Sequence, residues 1–329
     1  MSISLWSMGR RRRGALALTG ALGAALMTLT GCGAGADAAA ADGRIQVAAA
    51  FYPLQFVAEQ VGGERIAVTS LTRPGAEPHD LELAPRQVGQ IEDADLVVYE
   101  KGFQPAVDEA VDQNRTGPVV EAGRVVHLVG SDPSAGLDPV AAHDGEAPAE
   151  DVPTTHGDPH FWQDPSRLAR LSSAVAAALG KADPGHAATY RDNALRLNHR
   201  LDRLDTTLRR GLQSCARRVF VTSHAAFGYL ARRYGLQMVG VSGLTPDSEP
   251  SPARLRAVQD AIRRHGVTTV FSETLLSPKV AQTLASDLGV RAEVLDPLEG
   301  LAPDAPPGSD YFSLMRANLR ALRRANGCT

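Results

Sequence analysis

Two α/β lobes with mainly parallel sheets, joined by one long rigid helix, are predicted by three observations. Strand-like and helix-like segments alternate from residue 45 onward. A long amphipathic helix interrupts that alternation, and the alternation restarts beyond it.

The chain opens with a segment that reads as an address, not as fold. Arg10–Arg13 form a basic run, an apolar stretch follows from Ala15 to Leu29, and small residues precede Cys32 in Leu29-Thr30-Gly31-Cys32. That order is a secretory signal over residues 1–31. The apolar stretch is short for a membrane span of ~20 residues. The Leu-Thr-Gly-Cys ending resembles the bacterial lipobox, which implies lipidation at Cys32 and an extracytoplasmic, membrane-anchored protein. Residues 32–42 are Gly-, Ala- and Asp-rich and read as a flexible tether.

Residues 43–183 are expected to form the N-terminal lobe. Ile45 to Ala49, Ile66 to Leu71 and Asp95 to Tyr99 read as strands, with a helix from Arg86 to Asp93. Val125-Val126-His127-Leu128 also reads as a strand. Residues 131–159 break the pattern, being rich in Pro, Gly and acids and carrying His143 and His156. A loop of that length is expected to be functional or mobile.

Residues 184–213 form the linker helix. Tyr190, Ala194, Leu197, Leu201, Leu204 and Leu208 recur at four- and three-residue steps and share one face. Asp183 is placed to cap this helix, and Pro184 suits its first turn. The C-terminal lobe, 214–329, holds strands at Val219 to Thr222, Val267 to Phe271 and Ala292 to Leu295, with a helix from Arg254 to Arg264.

Composition narrows the function. The net charge of −3 gives no electrostatic case for nucleic acid, and loss of the Arg10–Arg13 run makes the remainder more acidic. Outside the signal only Cys215 and Cys328 remain. In an oxidising compartment such a pair is expected to form a disulfide that fastens the C-terminal helix to the start of the second lobe; two free thiols are the alternative.

Four candidate ligands stand just past a strand or in the loop before a helix. They are His79 in Pro78-His79-Asp80, His160 in Asp158-Pro159-His160, His224 in Ser223-His224 with a helix starting at Ala225, and Asp296 in Asp296-Pro297. In open α/β sheets, ligands bind beyond the carboxyl ends of strands. Two ligands from each lobe would therefore meet in the cleft between them. Three imidazoles and a carboxylate form the tetrahedral set that Zn²⁺ prefers. Water or Glu82 are alternatives to Asp296 as fourth ligand.

Together with Asp158-Pro159-His160-Phe161-Trp162, Asp164-Pro165, Ser223-His224-Ala225-Ala226-Phe227, Glu249-Pro250-Ser251-Pro252 and Leu295-Asp296-Pro297-Leu298, these residues resemble the metal-binding substrate-binding proteins of ABC importers, in their zinc-uptake branch. The resemblance covers nearly all of the chain after the signal. It implies the two-lobed fold with the metal in the cleft, capture of Zn²⁺, delivery to a membrane permease, a monomer and no enzymatic activity. In the manganese branch the third position is typically Glu; here it is His224. Family members often carry a His- and acid-rich loop where His143 and His156 lie, so accessory metal binding there stands beside a plain solvated insertion. A manganese- or iron-specific binder is the alternative within the family. A zinc-dependent hydrolase is the alternative from another class, and it would need an open coordination position.

Overall fold

The computed structural model describes residues 43–130 and 157–329. The first sheet comprises β1 (Ile45–Ala49), β2 (Ile66–Ser70), β3 (Leu96–Tyr99) and β4 (Val119–Glu121). Its order is β2-β1-β3-β4, and every pair is parallel. Parallel neighbours require crossovers. These are α1 (Tyr52–Gly62), α2 (Pro85–Asp93) and α3 (Pro105–Asn114), followed by the short α4 (Ala122–Val126).

The second sheet repeats the plan with β5 (Val219–Thr222), β6 (Gln237–Gly240), β7 (Thr269–Ser272) and β8 (Arg291–Val294), in the order β6-β5-β7-β8, again all parallel. Its helices are α7 (Gly228–Tyr234), α8 (Pro252–His265), α9 (Lys279–Leu288) and α10 (Tyr311–Asn326). In each sheet the chain first steps to one side of the opening strand and then crosses to the other. That reversal leaves a crevice at the carboxyl ends of β1/β3 and of β5/β7.

Between the sheets lie α5 (Pro165–Ala182) and α6 (Ala187–Leu212). Asp164 caps α5 by accepting the Ser166 N–H at 2.9 Å, with Pro165 in the first turn. The apolar stripe of α6 is buried from Tyr190 to Leu212. Each large side chain on it contributes roughly 1.5–3 kcal/mol of burial. Asp183 acts differently from expectation: its carboxylate takes the Tyr190 hydroxyl at 2.8 Å and the His186 ring at 2.7 Å, and Pro184–His186 form a 3-10 turn before α6.

One apolar core runs through both lobes, since Phe56 on α1 stacks on Tyr311 of α10 at 5.5 Å. A smaller core lies under α8 and α9, around Val221, Val239, Ile262 and Leu284. Cys215 and Cys328 are bonded across 113 residues, and Arg217 N–H donates to Asn326 O at 3.0 Å beside them. The clasp between α10 and the start of the second sheet is therefore in place.

Two local expectations are corrected. His127 is not in a strand: Glu121 accepts the Gly123 and Arg124 N–H groups and starts α4, which ends at His127 with φ 56°. The helix after His224 begins at Gly228, not Ala225, and the Ala225 N–H donates to Gly243 O at 2.8 Å. Among the described residues no helix is long and apolar enough to cross a membrane.

Candidate metal centre

The segment after β2 carries His79 and is tied down by its own sheet. Leu71 N–H donates to Ala49 O at 2.9 Å, and the Thr72 hydroxyl donates to Ala50 O at 2.8 Å. Gln104, buried after β3, donates to Thr72 Oγ1 at 2.9 Å and to Pro78 O at 3.0 Å, which fixes the residue before His79. Farther along, Gly75 N–H donates to Leu301 O at 2.9 Å. Gly75 has φ 82°, and a Cβ there would lie 2.4 Å from Pro303 Cγ, so only glycine lets this loop meet the second lobe so closely. The His79 ring stands edge-on to Phe103, with centroids 4.5 Å apart.

His160 is held by the residue two before it. Asp158 Oδ1 accepts the His160 N–H at 2.9 Å and lies 2.8 Å from Nδ1. The following 3-10 turn, Phe161–Gln163, reaches across to the other lobe: Trp162 Nε1 donates to Pro297 O at 2.8 Å, and Tyr311 hydroxyl donates to Trp162 O at 2.7 Å. Tyr229 hydroxyl donates to Asp158 O at 2.7 Å, adding another bond between lobes.

His224 stands two residues past the end of β5, at the reversal point of the second sheet. Its backbone is fixed by the Thr222 hydroxyl, which donates to His224 O at 2.7 Å. Glu273, just past neighbouring β7, accepts the His224 N–H at 3.0 Å and meets Nδ1 at 2.6 Å.

The three imidazoles converge on one carboxylate, and it belongs to Glu299. Glu299 Oε1 lies 3.2 Å from Nε2 of His160, 3.2 Å from Nε2 of His224 and 3.6 Å from Nε2 of His79. One donor atom from each of the four residues fits within a mutual 4.8 Å, and all four side chains are buried. Asp296, expected in this place, is not in the group. Its Oδ1 accepts the Leu298 N–H at 2.8 Å, and its backbone is paired at both N–H and C=O with the Asn318 side chain. That local turn puts Leu298 at φ 62°, a conformation uncommon for a leucine, and presents the next residue, Glu299, to the imidazoles. Glu82 is exposed and outside the group. Cys32, His143 and His156 lie outside the described residues.

Electrostatics suit a bound cation. Burial pushes the His79 ring below the ordinary imidazole range, and Glu299 only partly opposes it. Burial also acts on His160 and His224, but Asp158 and Glu299 outweigh it at the first, and Glu273 and Glu299 at the second, so both are raised. Burial would raise Glu299, yet the attraction of His224, with His160 and His79, holds it well below the carboxylate range. Glu77 is pushed to about 7, first by burial and then by Glu299. Nε2 of His79 and of His160 are buried and make no directed hydrogen bond. Buried nitrogens in that state are costly unless something occupies the space between them. A divalent cation shared by three imidazoles and a carboxylate resolves all of these at once.

Comparison with known proteins points the same way. The family model described as the periplasmic component A of the zinc-uptake complex matches residues 47–325. The zinc-binding lipoprotein AdcA of Streptococcus pneumoniae is 34% identical over 289 residues, covering 86% of this chain and 56% of that protein. The chain thus spans about half the length of such relatives. The high-affinity zinc uptake system protein ZnuA of Bacillus subtilis is 31% identical over 314 residues, covering 92% of this chain and 95% of that one. The crystal structure of the Zn(II)-bound ZnuA-like domain of S. pneumoniae AdcA superimposes with a TM-score of 0.68 at 31% identity, covering 86% of this chain and 99% of that domain. With two parallel-sheet lobes, a long helix and a buried His/Glu group between them, the chain belongs to the zinc-uptake complex component A family.

Proposed function

We propose that this protein captures Zn²⁺ outside the cytoplasm and hands it to the permease of an ABC importer. The observation that carries the reading is the convergence of His79, His160, His224 and Glu299 on one buried point. Three borderline nitrogens and one carboxylate match Zn²⁺, whereas Mn²⁺ favours oxygen donors. Asp158 and Glu273 act from behind: each accepts Nδ1–H, so that Nε2 keeps its lone pair for the ion. Four protein donors leave no open coordination position, which argues against a hydrolase and for a carrier.

Residues 43–183 and 214–329 serve as the two lobes and 184–213 as their link. A diacylated Cys32, after removal of residues 1–31, would hold the protein at the membrane surface, where one acyl chain alone binds only marginally. Metal analysis of the purified chain tests the function. One Zn²⁺ per molecule is expected, outcompeting Mn²⁺ in a chelator-buffered titration. Preferential retention of Mn²⁺ would instead select the manganese reading.

A further inference from the structure

The strands of the second sheet start level with one another, Val219 beside Gln237 and Thr269 beside Arg291. The helices of this lobe end at that same edge. Arg218 Nη1 donates to Leu212 O, the last residue of α6, at 3.0 Å, and Arg218 Nε donates to Gly235 O, just past α7, at 2.8 Å. Thr268 hydroxyl, in the segment after α8, donates to Ala325 O on α10 at 2.9 Å. The edge is therefore one pole of the molecule, closed by the Cys215–Cys328 bond.

This pole is rich in arginine. Arg209 and Arg210 end α6, Arg232 lies in the last turn of α7, Arg263 in that of α8, and Arg323 and Arg324 in that of α10; all six are exposed. Carboxylates there are fewer and mostly engaged. Asp205 pairs with Arg233 at 2.6 Å and Arg209 at 3.3 Å, Asp260 with Arg263 at 3.4 Å, and Glu293 with Arg324 at 2.8 Å; Asp202 and Asp287 are exposed acids outside these pairs. Among the described residues, Arg210, Arg232 and Arg323 pair with no carboxylate. One cation offsets the dipole at a helix end. Doubled arginines on several helices gathered at one edge create a larger field than those dipoles require.

The opposite pole holds the leading edge of the first sheet, where β1 starts at Ile45. Asn193, near the start of α6, donates to Val61 O at the end of α1 at 2.7 Å, beside the leading edge of β1 and β2. α6 thus separates the poles by roughly 39 Å at 1.5 Å per residue.

We propose that the arginine pole is a docking surface for a linear, phosphate-bearing polymer of the cell envelope. Guanidinium groups bind phosphate oxygens in pairs, and several spaced along one edge suit a flexible polyanion that offers phosphates in series. That the polymer belongs to the cell envelope rests on the extracytoplasmic reading of the proposed function; the binding of phosphate itself does not.

The test is fluorescence anisotropy of labelled long-chain inorganic polyphosphate with the chain from Gly33 onward, free of the Arg10–Arg13 run, in EDTA so that the metal centre takes no part. Binding should weaken steadily as salt is raised. The triple variant Arg210→Ser/Arg232→Ser/Arg323→Ser should lose roughly tenfold or more in affinity at physiological ionic strength. A control with the same charge removed away from this edge, at Arg86 on α2, Arg170 on α5 and Arg191 at the start of α6 (Arg86→Ser/Arg170→Ser/Arg191→Ser), should stay within about twofold. Equal losses in the two variants would reduce the effect to net charge and overturn the proposal. So would absence of binding by the unsubstituted pole, or displacement of polyphosphate by phosphatidylglycerol vesicles at lower phosphate concentration than by unlabelled polyphosphate. Thermal melts of both variants separate loss of binding from loss of fold, and their zinc stoichiometry tests the metal reading independently.

Discussion

Glu273 grips His224 at two points, one oxygen on the backbone N–H at 3.0 Å and the other on Nδ1 at 2.6 Å. The two residues follow adjacent parallel strands, β5 and β7, so the sheet itself sets their spacing. His224 is thereby fixed in position, ring orientation and tautomer before any ion arrives.

Glu273→Gln keeps an acceptor near Nδ1 but removes the charge. Zinc affinity should fall about 10- to 100-fold, the usual effect of losing an outer partner of a ligating histidine. Competition against a chromophoric chelator measures it, with a thermal melt to show that the lobe remains folded. Unchanged affinity would remove Glu273 from the metal's support.

The fourth ligand separates two carboxylates three residues apart. Glu299→Ala should cost orders of magnitude in zinc affinity, as should alanine at His79, His160 or His224. Asp296→Asn should bind zinc nearly as tightly as wild type, because Asn can still accept the Leu298 N–H. His143→Ala and His156→Ala should likewise leave the main site intact. Isothermal titration of these variants decides the set, and a severe loss in Asp296→Asn alone would restore Asp296 as the ligand.

Asp296 also carries a pH signature in metal-free protein. Burial, then Glu299, raises its carboxyl to about 6 from an ordinary 3.8, against the Leu298 hydrogen bond. A raised folded pKa favours the neutral form. Native protein therefore loses stability relative to the unfolded chain as pH rises from about 4 to about 6. Asp296→Asn should match wild type below that window and exceed it above, by roughly 2–3 kcal/mol. Urea denaturation in EDTA at pH 4 and pH 7 reads the difference; equal stability at both would show that Asp296 ionises freely.

Zinc binding should release protons near neutral pH. His160 and His224 are held above the ordinary imidazole range in the metal-free centre, despite burial, and an ion must displace whatever protons they hold. Affinity should rise with pH through that range. Titration calorimetry in two buffers of different ionisation enthalpy gives the proton count, and a buffer-independent heat would contradict it.

The Cys215–Cys328 bond closes a loop of 113 residues. Chain entropy assigns such a loop at most about 4–5 kcal/mol. Cys215→Ser/Cys328→Ser should therefore unfold at clearly lower denaturant. Reductant should shift wild type toward the variant and leave the variant unmoved.

Cys32→Ser should leave an unlipidated protein that is released from membranes or retained as precursor. Fractionation with an acyl-chain label checks it; wild-type protein found wholly soluble with residues before Cys32 intact would defeat the lipid reading.

The three histidines were legible because each stands beyond a strand or before a helix, where open α/β sheets place ligands. Glu299 was not, because the same rule points to Asp296, two residues past the second lobe's last strand. Only the backbone shows Asp296 turning back onto Leu298 N–H and Leu298 taking φ 62°, and no residue-type pattern announces a leucine in that conformation. Glu273 obeys the strand-end rule as well as His224 does, and could have been found by it. Asp158 was in view within Asp158-Pro159-His160, but its grip on Nδ1 depends on a turn that local propensity does not specify. The alternation of strands and helices was readable because period and apolar runs are local. His127 misled for the converse reason: two valines suggested a strand where the Glu121 cap starts a helical turn.

The contact between Phe56 and Tyr311 has a consequence for the order of assembly. A chain made from its N-terminus presents α1 long before α10. Until α10 arrives, the apolar face of α1 around Phe56 has no cover, and the first lobe, although its sheet is complete by Glu121, lacks part of its core. Pairing so distant in sequence forms slowly and leaves apolar surface open meanwhile. Folding of the two lobes is thereby coupled at one late step: the helix that leads into Cys328 also covers Phe56 of the first lobe, so the first lobe does not mature ahead of the second.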